Sequence, residues 1–219
     1  MVDNSKAPAP AGRKPRVDGI RNRERLMAAG KAGFAEMGPE VSLEEIARRA
    51  GVGIGTLYRH FPSRDAIVEA VYRREVEQLA GSANRLLMDM APGEALHAWM
   101  RLFVDYIATK KVIAPALGSI AGGVSELYAT SGARIKDAVS LLVQRARESG
   151  DIRGDIDPTD VLRALFGITY GAVDPMWETG ARRLIDILMD GLRTQQSGRS
   201  GKAAREVGRH AAGPIARQL

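Results

Sequence analysis

The segment spanning residues 41–64 constrains the fold most, because it carries clear start and stop signals for short helices. Ser42 is followed three residues later by Glu45, the spacing of a capping box in which each side chain accepts a hydrogen bond from the other residue's backbone N–H. Val41 and Ile46 have the spacing of a hydrophobic staple across the same helix start. A helix over residues 41–50 is therefore predicted.

A glycine turn separates this helix from a second short one. The turn contains Gly51, and residues 54–60 resume as a helix that stops at Phe61, since the residue before a proline avoids the α region. Two helices joined in this way need a small residue where they cross and an apolar residue on the inner face of the second. Ala47 and Leu57 occupy these places, which predicts a helix-turn-helix.

The rest of the chain has apolar residues at helical spacing and no alternating apolar pattern typical of strands. Ser63 is placed as the N-cap of a long helix, and Asp157 as the N-cap of a later one with proline in its first turn. The expected fold class is all-α. Helices are predicted over residues 20–37, 41–50, 54–60, 63–90, 94–109, 113–120, 125–149, 158–172 and 181–193.

Positive charge is concentrated at the two ends of the chain. The net charge is +6, with 7 basic and 3 acidic residues in 1–25, 19 and 22 in 26–192, and 6 and 1 in 193–219. Basic ends beside a near-neutral body raise the rate of encounter with a polyanion such as DNA. Solvated tails without a partner are the alternative interpretation.

Composition argues against several classes of function. The absence of cysteine excludes disulfides and thiolate metal sites, and the 3 histidines do not have metal-ligand spacing. Asp151, Asp155 and Asp157 lack the spacing and the late glutamate of an EF-hand. We expect no metal, no cofactor and no enzymatic activity. No apolar run is long enough for a secretory signal or a membrane span, so a cytoplasmic location is expected.

The outer face of the helix over residues 54–60 is the predicted base-reading surface. A helix of this size fits a major groove about 12 Å wide. Tyr58 suits a phosphate or a thymine methyl group, Ile54 offers apolar contact, and Gly55 permits close approach of the backbone. A packing role for Tyr58 is the alternative. The residues that project together from this face, by their spacing, are Ile54, Gly55, Tyr58 and Arg59.

Residues flanking this face are predicted to anchor phosphates. Thr56, His60 and Arg64 border it, and Ser42 begins a helix whose free N–H groups can face a phosphate. His60 has an alternative role as a locally satisfied helix-end residue.

The residues VSLEEIA at 41–47 and GVGIGTLYRHFPSR at 51–64 closely resemble the DNA-binding signature of the TetR family of bacterial regulators. The resemblance extends over about residues 20–72, roughly a quarter of the chain. One position departs from the family pattern, because Gly53 stands where a serine or another helix-starting side chain is usual. The third helix would then lack a side-chain cap, at a cost of roughly a few tenths of a kcal/mol.

This resemblance implies a homodimer that places two recognition helices about one turn apart on a palindromic double-stranded DNA operator. It implies a repressor that a small-molecule inducer releases. A transcriptional activator or an architectural DNA-binding protein remains the alternative. The implied backbone contacts are Thr56, Tyr58 and His60, the base-facing residues are Ile54 and Gly55, and Arg64 lies at a phosphate.

The implied architecture is an N-terminal three-helix helix-turn-helix domain joined by a long helix to a C-terminal ligand-binding and dimerisation domain. The boundaries are a disordered basic arm over 1–17, the DNA-binding domain over 18–64, the regulatory domain over 65–194 and a disordered basic tail over 195–219. The last two helices would pair with their twofold mates. The apolar stripe that supports this pairing comprises Leu184, Ile185, Ile187, Leu188 and Leu192.

A ligand pocket in the second domain would draw on its larger aromatic residues, although aromatic residues at helical spacing also form ordinary cores. Few charges interrupt this set, which favours a largely apolar ligand with Arg101 and Asp105 as the candidate polar contacts. The predicted pocket residues are Trp99, Phe103, Tyr106, Tyr128, Phe166 and Tyr170.

Overall fold

The structure, a computed structural model, describes residues 15–118, 123–171 and 176–194. These residues form helices and, as their sole β-type pairing, one isolated antiparallel bridge between Ile152 and Arg193, which confirms the all-α prediction. Residues 1–14 of the predicted arm and the predicted tail over 195–219 lie outside the described residues. The helices are α1 (Pro15–Met37), α2 (Leu43–Ala50), α3 (Ile54–His60), α4 (Arg64–Asp89), α5 (Pro92–Gly118), α6 (Ser125–Glu148), α7 (Pro158–Tyr170) and α8 (Trp177–Leu192).

The first three helices surround a small apolar core that the N-terminal half of α4 completes. Leu26 and Phe34 of α1 and Ile46 of α2 are fully buried, as predicted, and Leu57 anchors α3 to the same core. Gly51 has a φ of +66°, a left-handed conformation that favours glycine, and its N–H closes the end of α2 on the Arg48 carbonyl. The turn thus sets the angle between α2 and α3.

Only half of the predicted capping box forms at the start of α2. The Ser42 hydroxyl accepts the Glu45 N–H at 3.1 Å, but the Glu45 carboxylate turns instead to Arg48 and Arg49, each at 2.7 Å. Charge-assisted hydrogen bonds to two guanidinium groups are stronger than one to a neutral backbone N–H. The reciprocal half of the prediction was therefore wrong, whereas the N-cap itself was correct.

Two helix starts lie earlier in the chain than periodicity predicted. Helix α1 begins at Pro15, and its first turns expose Val17 and Ile20, so no buried stripe marks them in the sequence. The last residues of the predicted arm are thus helical. Helix α8 begins at Trp177, one turn before the predicted start, because the polar and glycine residues of its first turn give no apolar repeat.

The predicted pair of helices over 94–109 and 113–120 is a single helix, α5, within the described residues. Its N-terminus receives a cap from a distant turn, since the Gly93 N–H donates to the Asp151 carboxylate at 2.8 Å. Pro115 lies in its last turn and removes one N–H from the helical hydrogen bonds, yet Ile113 and Leu117 on either side of it remain buried. Helices α4 and α5 pack along their lengths, and the Trp99 indole N–H donates to the Leu79 carbonyl at 2.9 Å.

Candidate functional site

Helix α3 is held at one face and open at the other. Leu57 is fully buried, and both ends of the helix are closed by backbone bonds, from Thr56 N–H to the Gly53 carbonyl at 2.8 Å and from Phe61 N–H to the Leu57 carbonyl at 2.8 Å. Gly53 provides no side-chain cap, as the sequence predicted. A seven-residue helix fixed in this way is a rigid platform for the side chains on its outer face.

The predicted base-reading residues lie together on that outer face. Tyr58 is 47% exposed and Ile54 is 38% exposed, so neither serves as a core residue of the described chain. Gly55 is exposed as well, and a Cβ at its position would meet no atom within 4 Å. Arg59 folds back along the helix and donates to the Thr56 hydroxyl at 3.0 Å and to the Gly55 carbonyl at 3.3 Å.

The predicted anchoring residues are placed less uniformly. Ser42 is exposed at the start of α2, and His60 is half-buried between α3 and the beginning of α1, near Gly19. No residue in the described part of the chain hydrogen-bonds to the His60 ring. Arg64, in contrast, turns inward and donates to the carbonyls of Val41, at 2.7 Å, and Pro39. A phosphate contact by Arg64 would compete with these two hydrogen bonds.

The aromatic residues predicted for a pocket form one continuous series of ring contacts. Trp99, Phe103 and Tyr106 are buried on α5, with centroids 6.0 and 5.8 Å apart along the series. Phe103 meets Phe166 edge to face at 5.3 Å, and Phe166 leads to Tyr170 at 6.1 Å. Trp99 and Phe103 are thus fully buried, whereas Phe166 and Tyr170 open this core to solvent.

Tyr72 of α4, which sequence reasoning did not assign to a site, links the sixth predicted residue to this series. Its hydroxyl lies 3.2 Å from the Tyr106 hydroxyl, and its ring meets the Tyr128 ring edge to face at 5.7 Å. We call Tyr72, Tyr106 and Tyr128 the tyrosine cluster. Burial raises the pKa of Tyr106 and, to a smaller extent, that of Tyr128, so these hydroxyls remain neutral donors at physiological pH.

Two lysines beside these aromatic residues were also missed. The Lys110 ammonium lies 4.7 Å from the Tyr128 ring centroid, and the Lys111 ammonium lies 3.7 Å from that of Trp177. Lys111 also donates to the Thr169 carbonyl at 2.7 Å. The available signal was a pair of adjacent lysines in an otherwise apolar stretch, which lies between the two helices predicted over 94–109 and 113–120.

The polar residues predicted to contact a ligand, Arg101 and Asp105, form ion pairs at the surface. Arg101 donates to Asp186 at 3.0 Å, and Asp105 pairs with Arg182, so both tie α5 to α8. His97 also lies 2.7 Å from the Asp186 carboxylate. Asp105 and Tyr106 border a groove of about 360 Å³ between α4 and α5, next to Lys31 of α1.

Helix α8 has a second apolar face that the described chain leaves uncovered. Ile185 and Leu192 are buried in the monomer, Leu188 is half-buried, and Leu184 and Ile187 are exposed.

The described residues contain no cluster of three or more side chains suited to a metal ion, and none of their helices combines the length and apolarity needed to cross a bilayer.

An all-helical chain with an N-terminal helix-turn-helix, an exposed third helix and a separate helical second domain defines a two-domain DNA-binding regulator. Residues 26–71 match the model for bacterial regulatory proteins of the tetR family, and residues 91–194 match the model for the SbtR-like C-terminal domain of transcriptional regulators. The chain belongs to the TetR family of DNA-binding transcriptional regulators. Because this is a family of regulators, the prediction that the chain is not an enzyme is confirmed.

Similar proteins agree with this assignment over most of the chain. The TetR transcriptional regulator SCO0520 from Streptomyces coelicolor is 43% identical, with a TM-score of 0.73 over 79% of this chain and 99% of that one. A TetR regulatory protein from Mycobacterium vanbaalenii is 32% identical, with a TM-score of 0.70 over 83% and 100%. The HTH-type regulator UidR of Escherichia coli is 26% identical over 69% of this chain and 79% of its own length.

Proposed function

We propose that this regulator is a homodimeric repressor that binds a palindromic DNA operator through α3 and is released by a small molecule bound in its second domain. The observation that carries the proposal is the division of α3 between the buried Leu57 and the exposed Ile54 and Tyr58. An isolated exposed tyrosine and isoleucine on a rigid helix have the size and polarity to contact base edges and phosphates.

The polar residues around this face support the same proposal. Thr56 and Arg59 form a hydrogen-bonded pair on the surface, at 3.0 Å, that can reorient toward phosphates at little cost. Ser42 caps the N-terminus of α2, and the free N–H groups at a helix start favour an anion such as a phosphate. We assign phosphate contacts to Ser42, Thr56 and His60, and base contacts to Ile54 and Gly55.

The uncovered face of α8 supports the homodimer. Exposed apolar side chains next to a buried row on one helix are typical of helices that pair with a symmetry mate. Leu184 and Ile187 supply this face, and Phe166 of α7 is exposed as well. A dimer would give the two copies of α3 the twofold relation that a palindromic site requires.

Selection of bound sequences from random double-stranded DNA tests the proposal. We expect a palindrome whose half-sites are about 34–36 Å apart, one helical turn between centres. Binding without sequence preference over extended DNA would instead identify an architectural protein. Expression of a reporter gene placed behind the selected site then shows whether the protein represses or activates transcription. A relative from Mycobacterium tuberculosis, 26% identical, is named a transcriptional repressor, which favours repression.

A further inference from the structure

Lys110 lies beside the tyrosine cluster and, in the described chain, its ammonium has neither an ion pair nor a hydrogen bond. It follows Tyr106 by four residues on α5, so both project from the same face of the helix. Its ammonium lies over the Tyr128 ring at 4.7 Å, and Tyr106 meets Tyr72 through a hydroxyl pair at 3.2 Å. Three tyrosine side chains and one cation therefore lie together where α4, α5 and α6 meet.

The neighbouring Lys111 shows how the protein satisfies a lysine in this region when its role is structural. Lys111 donates to the Thr169 carbonyl at 2.7 Å and lies 3.7 Å from the Trp177 ring centroid. Lys110 forms no ion pair with a described residue, and burial lowers its pKa. A half-buried cation without a counter-charge is unfavourable by itself, because it loses hydration that the tyrosine ring only partly replaces.

We propose that Lys110 and the tyrosine cluster bind the anionic head group, a carboxylate, of the small molecule to which this regulator responds. The inference rests on the proposed function and specifies the chemical class of its ligand. A carboxylate would provide the missing counter-charge for Lys110 and accept hydrogen bonds from the tyrosine hydroxyls. The apolar body of the ligand would lie along Phe103 and Phe166, whose edge-to-face contact at 5.3 Å leads from the core to the surface.

This ligand class differs from the largely apolar ligand expected from sequence. The aromatic residues alone favour an apolar molecule, whereas the positive charge of Lys110 favours a ligand with one negative charge at its inner end. Asp105, which the sequence suggested as a polar contact, is paired with Arg182 and would repel an anion. The ligand class is therefore an amphiphile with one acidic group.

A matched pair of fluorescent probes tests the inference without knowledge of the natural ligand. The anionic probe is 8-anilinonaphthalene-1-sulfonate, and its uncharged counterpart is N-phenyl-1-naphthylamine, which has the same aromatic skeleton without the sulfonate. Their affinities are measured by titration with the full-length protein and with Lys110→Met. The matched control is Lys136→Met, since Lys136 is an exposed lysine on α6.

We expect Lys110→Met to weaken binding of the anionic probe about tenfold or more and to leave the uncharged probe unchanged, because charge-assisted hydrogen bonds to one cation are lost. Lys136→Met should bind both probes as the original protein does. Lys110→Arg, which keeps the charge, should retain most of the affinity for the anionic probe. It replaces Lys110→Met as the test variant if the methionine variant does not fold.

Equal loss of both probes, no loss of either, or no anionic-probe binding by the original protein would overturn the inference. Each protein is also assayed for binding to the operator obtained by selection. If the protein binds the operator but Lys110→Met affects both probes equally, the carboxylate site is wrong and the proposed function stands. If Lys110→Met weakens only the anionic probe but the protein binds no specific DNA sequence, the proposed function is wrong.

Discussion

Tyr58 and Leu57 are neighbours in sequence but lie on opposite sides of α3. Leu57 is fully buried and Tyr58 is 47% exposed, so a change at Tyr58 acts on the surface and not on the core. The sequence could predict this division, because helical spacing places the residues of one face together once the helix is recognised. It could not predict that Arg64 turns inward to the Val41 and Pro39 carbonyls, since that contact depends on a loop 23 residues or more away.

Replacement of Tyr58 by alanine should weaken operator binding by about 1–3 kcal/mol, because the ring and hydroxyl contacts to DNA are lost. Mobility-shift titration measures the affinity, and thermal unfolding checks that the fold is intact. Tyr58→Phe, which removes the hydroxyl alone, separates a hydrogen bond from ring contact. Unchanged affinity in the alanine variant would remove Tyr58 from the interface.

Two glycines in one turn should respond in opposite directions to substitution. Gly51→Ala places a side chain at a φ of +66° and should destabilise the protein by about 1–2 kcal/mol, although no atom lies within 4 Å of the new Cβ. Gly53→Ser supplies the missing N-cap of α3 and should stabilise it by roughly a few tenths of a kcal/mol. Chemical denaturation of both variants measures the difference. An equal response of both would mean that backbone conformation does not govern this turn.

At the scale of helices, boundaries marked by a capping side chain were predicted well. Ser63 accepts the Ala66 N–H at 3.1 Å and Asp157 accepts the Thr159 N–H at 2.6 Å, as expected at both starts. Boundaries without such a signal were not. Helix α5 continues through its lysine pair because Ile113 and Leu117 are buried beyond it, which only packing against other helices decides.

Helix α2 should show a pH-dependent contribution to stability from Glu45. Hydrogen bonds from Arg48, and then from Arg49, lower the pKa of Glu45 to about 2 from its usual 4.5. A carboxyl whose pKa is lower in the folded than in the unfolded state stabilises the fold above the unfolded value and loses this effect as pH falls toward 2. Glu45→Gln should therefore be less stable than the original protein at pH 7, and the difference should narrow below about pH 4.5.

Urea denaturation at a series of pH values measures this difference. The control is Glu44→Gln, since Glu44 is an exposed neighbour on the same turn without an ion pair to a described residue. A constant difference between Glu45→Gln and the original protein at all pH values would show that the two arginines do not hold the Glu45 carboxylate in solution.

For the whole molecule, the sequence was sufficient for the fold class and family but not for the tyrosine cluster. In the sequence, Tyr72 has the spacing of an ordinary buried residue of a long helix. The residues around it do not indicate that it contacts Tyr106 and Tyr128 of two other helices. Lys110 was missed for the same reason. Residues that a site takes from separate elements are brought together by tertiary packing, which periodicity in one segment does not encode.

Assembly of the molecule should depend on the exposed face of α8. Ile187 is 66% exposed, and Ile187→Asp should convert the homodimer to monomers, because it places a charge in the apolar contact that we propose. Sedimentation velocity measures the state of association. Met88→Asp, an equally drastic change at an exposed position on α4, should leave the dimer intact. If both variants are monomeric, or if neither is, the exposed face of α8 is not the dimer interface.

Helix α4 connects the two domains without an intermediary. Val71 packs so closely against α1 that a Cβ at Gly30 would lie 3.3 Å from it, and the next residue, Tyr72, touches Tyr106 of the second domain. An occupant of the tyrosine cluster that displaces Tyr72 would therefore act on the same helix that packs against α1. By thermodynamic linkage, operator DNA must then weaken the affinity for that occupant by the same factor as the occupant weakens the affinity for DNA.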